Sequence, residues 1–203
     1  MNARSFAIVP AAGRSVRMGQ PKLLLESGGQ PLLSRVLRAW QAANVSQIVV
    51  IMRAADAPLA EIATAAGVAI VQPPVDPPDM KTSIRWGLEF VARNHQPTAG
   101  DHWLVAPADM PGLSPTIIAH LIGQSAIHPQ RILIPTLAGQ RGHPVLLPWP
   151  LAAGVGSLAA DQGLNSLIVS HDPLLVPCDA IATDAVSSFA DVDTPEDWGA
   201  FRH

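Results

Sequence analysis

The sequence predicts an α/β fold, a three-layer sandwich in which a mostly parallel sheet carries helices on both faces. Three observations lead there. Short apolar runs alternate with longer amphipathic stretches through most of the chain, the pattern of repeated strand–helix units. The runs read as buried strands, which are continuously apolar in a sheet covered on both sides. A glycine-bearing loop follows the first run at once, and such sheets place ligands beyond the carboxyl ends of their strands.

The elements follow in order. Phe6-Ala7-Ile8-Val9 is the first strand, and Leu32, Leu33, Val36, Leu37 and Trp40 then recur at helical period. Ile48 to Met52 is the clearest strand. Leu59 to Ala66 reads as a short helix that stops at Gly67, and Val68 to Val71 as a strand. Gln72 to Asp79 holds four prolines and two aspartates, and is a loop. Ser83 to Arg93 is a helix with Ile84, Leu88 and Val91 on one side. Trp103 to Ala106 is a strand, and Ser114 caps a helix running through Leu121. Ile132 to Ile134 and Val145 to Leu147 are further strands. Residues 139–163 are poor in regular pattern and are expected to form a substrate-side insertion in one domain spanning 1–203.

Composition narrows the function. With 203 residues, 48% of them hydrophobic, the chain can bury a sizeable core and is not a disordered segment. Thirteen Lys and Arg against sixteen Asp and Glu give a net charge of −3, which supplies no electrostatic reason to bind nucleic acid or an anionic membrane. The single cysteine, Cys178, excludes an intramolecular disulfide and a cysteine-built zinc site. No apolar run approaches the roughly 20 residues of a membrane span, and Met1 to Pro10 does not read as a signal peptide. The expectation is a cytoplasmic protein, monomeric by default.

Within this acidic chain, Pro10-Ala11-Ala12-Gly13-Arg14-Ser15-Val16-Arg17-Met18-Gly19-Gln20-Pro21-Lys22 gathers cations on a loop of small residues. Small residues let a backbone approach a ligand closely, and successive N–H groups can cradle phosphate oxygens. Arg17 and Lys22 add positive charge, so the loop suits an anion. It is neither the dinucleotide fingerprint nor a P-loop. The bland alternative is a strand–helix turn with solvated charges. Two aspartates are further candidates. Asp109 ends a strand in Pro107-Ala108-Asp109-Met110-Pro111, and Asp193 lies in Asp191-Val192-Asp193-Thr194-Pro195-Glu196-Asp197-Trp198. Carboxylates at such positions suit a hard divalent ion. Their bland alternatives are a turn before Pro111 and a helix cap before Pro195.

Taken together these motifs resemble the MobA-like nucleotidyltransferases. The loop through Lys22, Leu24 and Leu25, then Gly29-Gln30-Pro31-Leu32-Leu33, is similar to that family's signature, most closely in its molybdenum cofactor cytidylyltransferase branch. The two aspartate motifs occur there in the same order. The resemblance implies a Rossmann-like, GT-A-like fold. It implies that the loop (Ala11, Ala12, Gly13, Arg14, Ser15, Arg17, Gly19, Lys22) wraps a nucleotide triphosphate, with Lys22 and Arg17 on the phosphates. It implies that Asp109 and Asp193 hold Mg²⁺, or Mn²⁺, with Asp191 behind them.

The stretch Asp79-Met80-Lys81-Thr82-Ser83 resembles the family's Gly-Met-Ser-Ser-Ser and places Ser83 near the nucleotide; Asp79 and Lys81 depart from it. Lys81 is left as a phosphate contact or a solvent-facing charge. The segment Gly142-His143-Pro144, and more weakly Asp161, resembles the part of the family that borders the second substrate, with Ala160 and Asn165 departing from the pattern. The activity implied is transfer of CMP from CTP to the terminal phosphate of molybdopterin, with release of pyrophosphate. Three alternatives stand beside it. One is guanylyl transfer from GTP to the same acceptor. Another is a methylerythritol phosphate cytidylyltransferase, which carries Asp-x-x-Arg-Pro where this chain has Pro107 to Pro111. The third is a non-catalytic carrier that delivers nucleotide or cofactor to a recipient molybdoenzyme or its chaperone.

Overall fold

In the computed structural model, which describes residues 3–181 and 189–201, ten strands and seven α-helices alternate as the sequence predicts. The strands are β1 (Ser5–Pro10), β2 (Glu26–Ser27), β3 (Gln30–Pro31), β4 (Gln47–Ile51), β5 (Ala69–Val71), β6 (His102–Val105), β7 (Leu133–Leu137), β8 (Gln140–Arg141), β9 (Val145–Pro148) and β10 (Leu174–Pro177). The helices are α1 (Leu32–Ala42), α2 (Ala57–Ala65), α3 (Met80–His95), α4 (Pro115–Ile127), α5 (Ala152–Gly156), α6 (Leu164–Ser170) and α7 (Pro195–Phe201).

The central sheet runs β10-β7-β9-β6-β1-β4-β5, with β8 paired to β7. β1 pairs in parallel with β4 and β6, β4 with β5, and β7 with β10. β9 is antiparallel to both β6 and β7. The sheet is therefore mostly parallel, with β9 reversed between its two halves and the short β8 reversed beside β7. The segment expected to be poor in regular structure holds both reversed strands. β9 lies inside the sheet, and its residues Val145, Leu146 and Leu147 are buried.

Side-chain alternation along the strands divides the core. Ala7 and Val9 of β1 and Ile48 and Val50 at β4 face one layer, with Leu33, Leu37 and Trp40 of α1, Ile117 and Leu121 of α4, and Trp198 of α7. Phe6, Ile8, Val49 and Ile51 face the other, with Ile84, Leu88 and Val91 of α3 and Leu167 and Ile168 of α6. All five apolar positions expected in α1 are buried. Gly87 lets α3 lie close on the sheet: a Cβ there would sit 2.8 Å from Ile51 Cδ1 and 3.0 Å from Ile8 Cγ2.

Two helices outrun the sequence reading for a local reason. α3 starts at Met80 because Asp79 caps it, its side chain accepting from Thr82 N at 2.7 Å. α4 starts where expected, with Ser114 Oγ accepting from Ile117 N. It then continues to Ile127, because Ser125 is buried and donates back to the Ile122 carbonyl at 2.8 Å. Among the described residues, no helix is long and apolar enough to cross a membrane.

Candidate active site

The carboxyl ends of β1 and β6 bring the two most informative motifs together. Beyond Pro10 the chain turns into the glycine loop; beyond Val105 it runs into Pro107-Ala108-Asp109. Ala108 N donates to the Pro10 carbonyl at 3.2 Å, and Val192 N donates to the Asp109 carbonyl at 2.9 Å. These bonds tie the loop after β6 to β1 on one side and to the segment before α7 on the other. Asp109 and Asp193, 84 positions apart in the chain, thereby face the same lysine.

Lys22 is the centre of the cluster. Its Nζ donates to Asp109 Oδ2 and, at 2.8 Å, to Asp193 Oδ1. The other oxygen of Asp193 accepts from Arg17 Nη2 at 2.5 Å. Two cations thus meet two carboxylates. Burial alone would lower the Lys22 pKa, but the two carboxylates outweigh it and hold the ammonium above its ordinary value. Asp193 is held below the usual carboxylate range, chiefly by the hydrogen bond from Lys22. The remaining oxygen of Asp109, Oδ1, is buried and has no protein partner.

The loop is shaped to present this lysine. Ser15 adopts a left-handed backbone (φ 50°), and its Oγ accepts from the Lys22 N–H at 3.2 Å, closing the loop on itself. Gly19 (φ 65°) makes the return turn that a side chain would strain. Nothing lies within 4 Å of where a Gly13 Cβ would stand, so the backbone there is open to the cleft.

That cleft encloses about 450 Å³ and is lined by Pro10 to Ser15, Arg17, Lys22, Leu23, Pro78 to Met80, Ser83, Pro107 to Asp109 and Asp193. Arg14 reaches Asp76 at 3.1 Å and pins the loop after β5 to the glycine loop.

Most sequence-predicted residues meet here. Ala11, Ala12, Gly13, Arg14, Ser15, Arg17, Lys22, Ser83, Asp109 and Asp193 all line the cleft. Ala11 does so with its N–H already engaged by the Ile51 carbonyl at 2.7 Å, so that amide is not a phosphate donor. Gly19 lines a neighbouring cavity behind the loop, beside Arg53 and Asp56. Ser83 is buried, its hydroxyl directed at the Asp79 carbonyl.

Gly142, His143, Pro144 and Asp161 do not line the cleft. Gly142 N donates to the Pro135 carbonyl at 2.9 Å, and its missing Cβ makes room for the Phe189 ring. His143 sits close enough to feel the charges of Asp109 and Asp191. Burial pushes its pKa down, against a hydrogen bond to the Val105 carbonyl and those two charges. Asp161 is exposed in the turn before α6. Lys81 takes neither role read for it: its Nζ donates to the carbonyls of Ala159 and Ala160, at 2.6 and 3.3 Å. It straps that turn to the start of α3.

One contributor escaped the sequence reading. Asp197 Oδ2 accepts from Asp193 N at 3.1 Å and from Thr194 N and Oγ1 at 2.8 Å each, while Asp197 N donates to Thr194 Oγ1 at 3.2 Å. This is a reciprocal capping box, signalled in the sequence by Thr194 and Asp197 three apart. It fixes the backbone from which Asp193 projects.

The arrangement suits an anion carrying a hard cation. Asp109 and Asp193 present carboxylate oxygens to the cleft, one of them without a protein partner. Among the described residues no group of three or more His, Cys, Asp or Glu could hold an ion alone. Two carboxylates completed by phosphate oxygens and water are the usual setting of Mg²⁺.

Comparison with known proteins gives the chain's relatives. A probable molybdenum cofactor guanylyltransferase of Natronomonas pharaonis is 29% identical over 97% of this chain and 96% of its own length. A 2-C-methyl-D-erythritol 4-phosphate cytidylyltransferase of Nocardia farcinica is 26% identical over 79% of this chain and 70% of its own. Rv0371c of Mycobacterium tuberculosis H37Rv shares the fold at a TM-score of 0.81, with 23% identity and 98% coverage of both chains. A second structure of that protein is a complex with manganese, with a TM-score of 0.77, 22% identity and coverage of 98% and 97%. The sequence model of the MobA-like NTP transferase domain matches residues 7–181, from β1 to just beyond β10. The chain belongs to the MobA-like NTP transferase family.

Proposed function

We propose that the protein transfers CMP from CTP to the terminal phosphate of molybdopterin, with Mg²⁺ and with release of pyrophosphate. The observation that carries the reading is the meeting of Lys22, Asp109 and Asp193 beside the glycine loop. A cationic side chain for phosphates and two oxygen donors for a hard ion share one cleft. When bound, Mg²⁺ supplies charge stabilisation at the α-phosphate.

The chain's own groups do the rest. Asp109 and Asp193 hold the ion, and the glycine loop positions the triphosphate. Lys22 and Arg17 neutralise charge on the phosphates and on the departing pyrophosphate. A terminal phosphate is already largely dianionic near neutral pH, with a second pKa of about 6, so the acceptor attacks without a strong base. Positioning and charge stabilisation then carry the catalysis. Pro78, Asp79, Met80 and Ser83 line the same cleft, and we assign the base to them.

The resemblance of the loop to the cytidylyl branch supports CTP. The Natronomonas relative favours a second reading, with GTP as the donor and the same acceptor. Thermal unfolding with CTP, GTP, ATP and UTP, each with and without Mg²⁺, separates the two. A ligand at 100 times its dissociation constant adds about 2.7 kcal/mol, and each kcal/mol moves the midpoint by about 2–4 °C in a domain of this size. A Mg²⁺-dependent rise selective for CTP is expected. A rise selective for GTP replaces the donor, and no rise with any nucleotide overturns the reading.

A further inference from the structure

We infer that Lys22 holds the seat of the divalent cation, so that the cation and the nucleotide load together by exchange with the lysine side chain. The inference rests on the nucleotidyl-transfer reading and adds the form in which its substrate is taken up.

Three observations carry it. The Lys22 ammonium lies between Asp109 Oδ2 and Asp193 Oδ1, with its side chain only 11% exposed. It neutralises carboxylates that would otherwise face each other in a partly buried site. An ion on the same oxygens needs contacts of about 2.0–2.1 Å for Mg²⁺, and a second cation cannot share that bridge with an ammonium 2.8 Å from Asp193. The protein also offers too few ligands to win the exchange unaided. Among the described residues no third His, Cys, Asp or Glu completes the group.

The buried, unpartnered Asp109 Oδ1 gives an arriving ion one acceptor that Lys22 does not hold. The triphosphate supplies further oxygens and, at the same time, a new anion for the displaced ammonium. Metal alone therefore binds weakly. Metal with nucleotide binds well, because Lys22 moves from the carboxylates to the phosphates and leaves no charge unpaired.

The test is Mn²⁺ binding, followed by the electron paramagnetic resonance of the free ion and by thermal unfolding, for wild type, Lys22→Met and Lys22→Arg. Without nucleotide, Lys22→Met is expected to bind Mn²⁺ about tenfold tighter than wild type, the scale of one lost charged competitor. Mn²⁺ should raise its unfolding midpoint far more than that of wild type. If the exposed carboxylate pair leaves Lys22→Met unfolded in metal-free buffer, Mn²⁺ should restore the fold. Lys22→Arg keeps the competing charge and should show no gain.

In wild type, CTP or GTP should tighten Mn²⁺ about tenfold, and in Lys22→Met that tightening should shrink to the part that the phosphate oxygens supply as ligands. Lys22→Met binding the ion no tighter than wild type would overturn the inference, as would tight Mn²⁺ binding by wild type alone. If Lys22→Met gains affinity and no nucleotide tightens Mn²⁺ in wild type, Lys22 keeps the seat and the nucleotidyl-transfer reading falls.

Discussion

The two ends of the β1–β6 pair carry the same ingredients arranged to opposite effect. At the amino end, Arg4 meets Asp101; at the carboxyl end, Lys22 and Arg17 meet Asp109 and Asp193. Asp101 is saturated. It accepts from Arg4 N at 2.8 Å, Arg4 Nη2 at 2.7 Å, Thr98 N at 2.7 Å and Thr98 Oγ1 at 3.3 Å. Arg4 in turn donates to the carbonyls of His95 and Gln96 and lies over the Phe6 ring. Every donor comes from the protein, so the pair clamps the end of α3 and the start of β6 onto β1. At the other end the carboxylate oxygens are held by the side chains of Lys22 and Arg17, and Asp109 Oδ1 has no partner. A saturated ion pair fixes a fold, whereas an unsaturated one leaves valence for a ligand.

Exchanging the carboxylates tests this contrast most severely. Asp109→Asn should lower turnover by about 10²-fold or more, the scale of losing one preorganised electrostatic contact, with a small change in unfolding midpoint. Lys22→Ala should match it in turnover. Asp101→Asn should do the reverse. It should lose about 2–3 kcal/mol of stability, because it leaves Arg4 without its buried partner, while turnover per folded molecule stays at the wild-type level. Steady-state rates paired with denaturant unfolding check all three. A stability loss in Asp109→Asn as large as that in Asp101→Asn would erase the distinction.

Acid should find the two ends in different ways. Burial pushes the Asp101 carboxyl up, but the hydrogen bonds from Arg4 and from the backbone of Thr98 and Arg4 outweigh it and bring it down to about 2. Its folded pKa thus lies below its unfolded value, so its contribution is fully present above about pH 4 and is lost as pH falls toward 2. After allowance for the partly exposed Arg4, the contribution is about 1–2 kcal/mol. Asp193, also held low, adds in the same direction. Unfolding of wild type and Asp101→Asn between pH 5 and 2 isolates the Asp101 part: the gap between the two should narrow as the pH falls. A constant gap would place the effect of Asp101 in packing rather than in charge.

How much of this was legible in the sequence depends on range. Continuous apolar runs announced β1, β4 and β6, and a helical period announced α1, because burial on a known face dictates residue type locally. The glycine loop and both aspartates were legible as motifs, and all three meet in one cleft. Val145 to Leu147 were legible as a strand and form the body of β9, but so short a run could not declare that it would lie antiparallel between β7 and β6. The position of His143 behind Asp109, rather than in the cleft, follows from the order β7-β9-β6, which no local pattern encodes. Lys81 could be read only as a free cation. Its role depends on the carbonyls of Ala159 and Ala160, 78 and 79 residues away.

The finest test concerns the residue that links the two kinds of arrangement. One oxygen of Asp197 is saturated as those of Asp101 are, with three donors on it, yet its donors belong to the backbone and side chain of Thr194 and to the backbone of Asp193. If a saturated carboxylate can position an unsaturated one, Asp197→Ala should lower turnover by several-fold, up to about tenfold. Small misplacements of a reacting group cost that much or more. Mn²⁺ affinity in the presence of nucleotide should fall with it. Asp197→Asn retains an oxygen that accepts from the same N–H groups and should recover most of both losses. A capping role alone would show differently, as a lower unfolding midpoint with turnover per folded molecule and Mn²⁺ affinity unchanged. That result would confine Asp197 to α7 and leave Asp193 held by Lys22 and Arg17 alone.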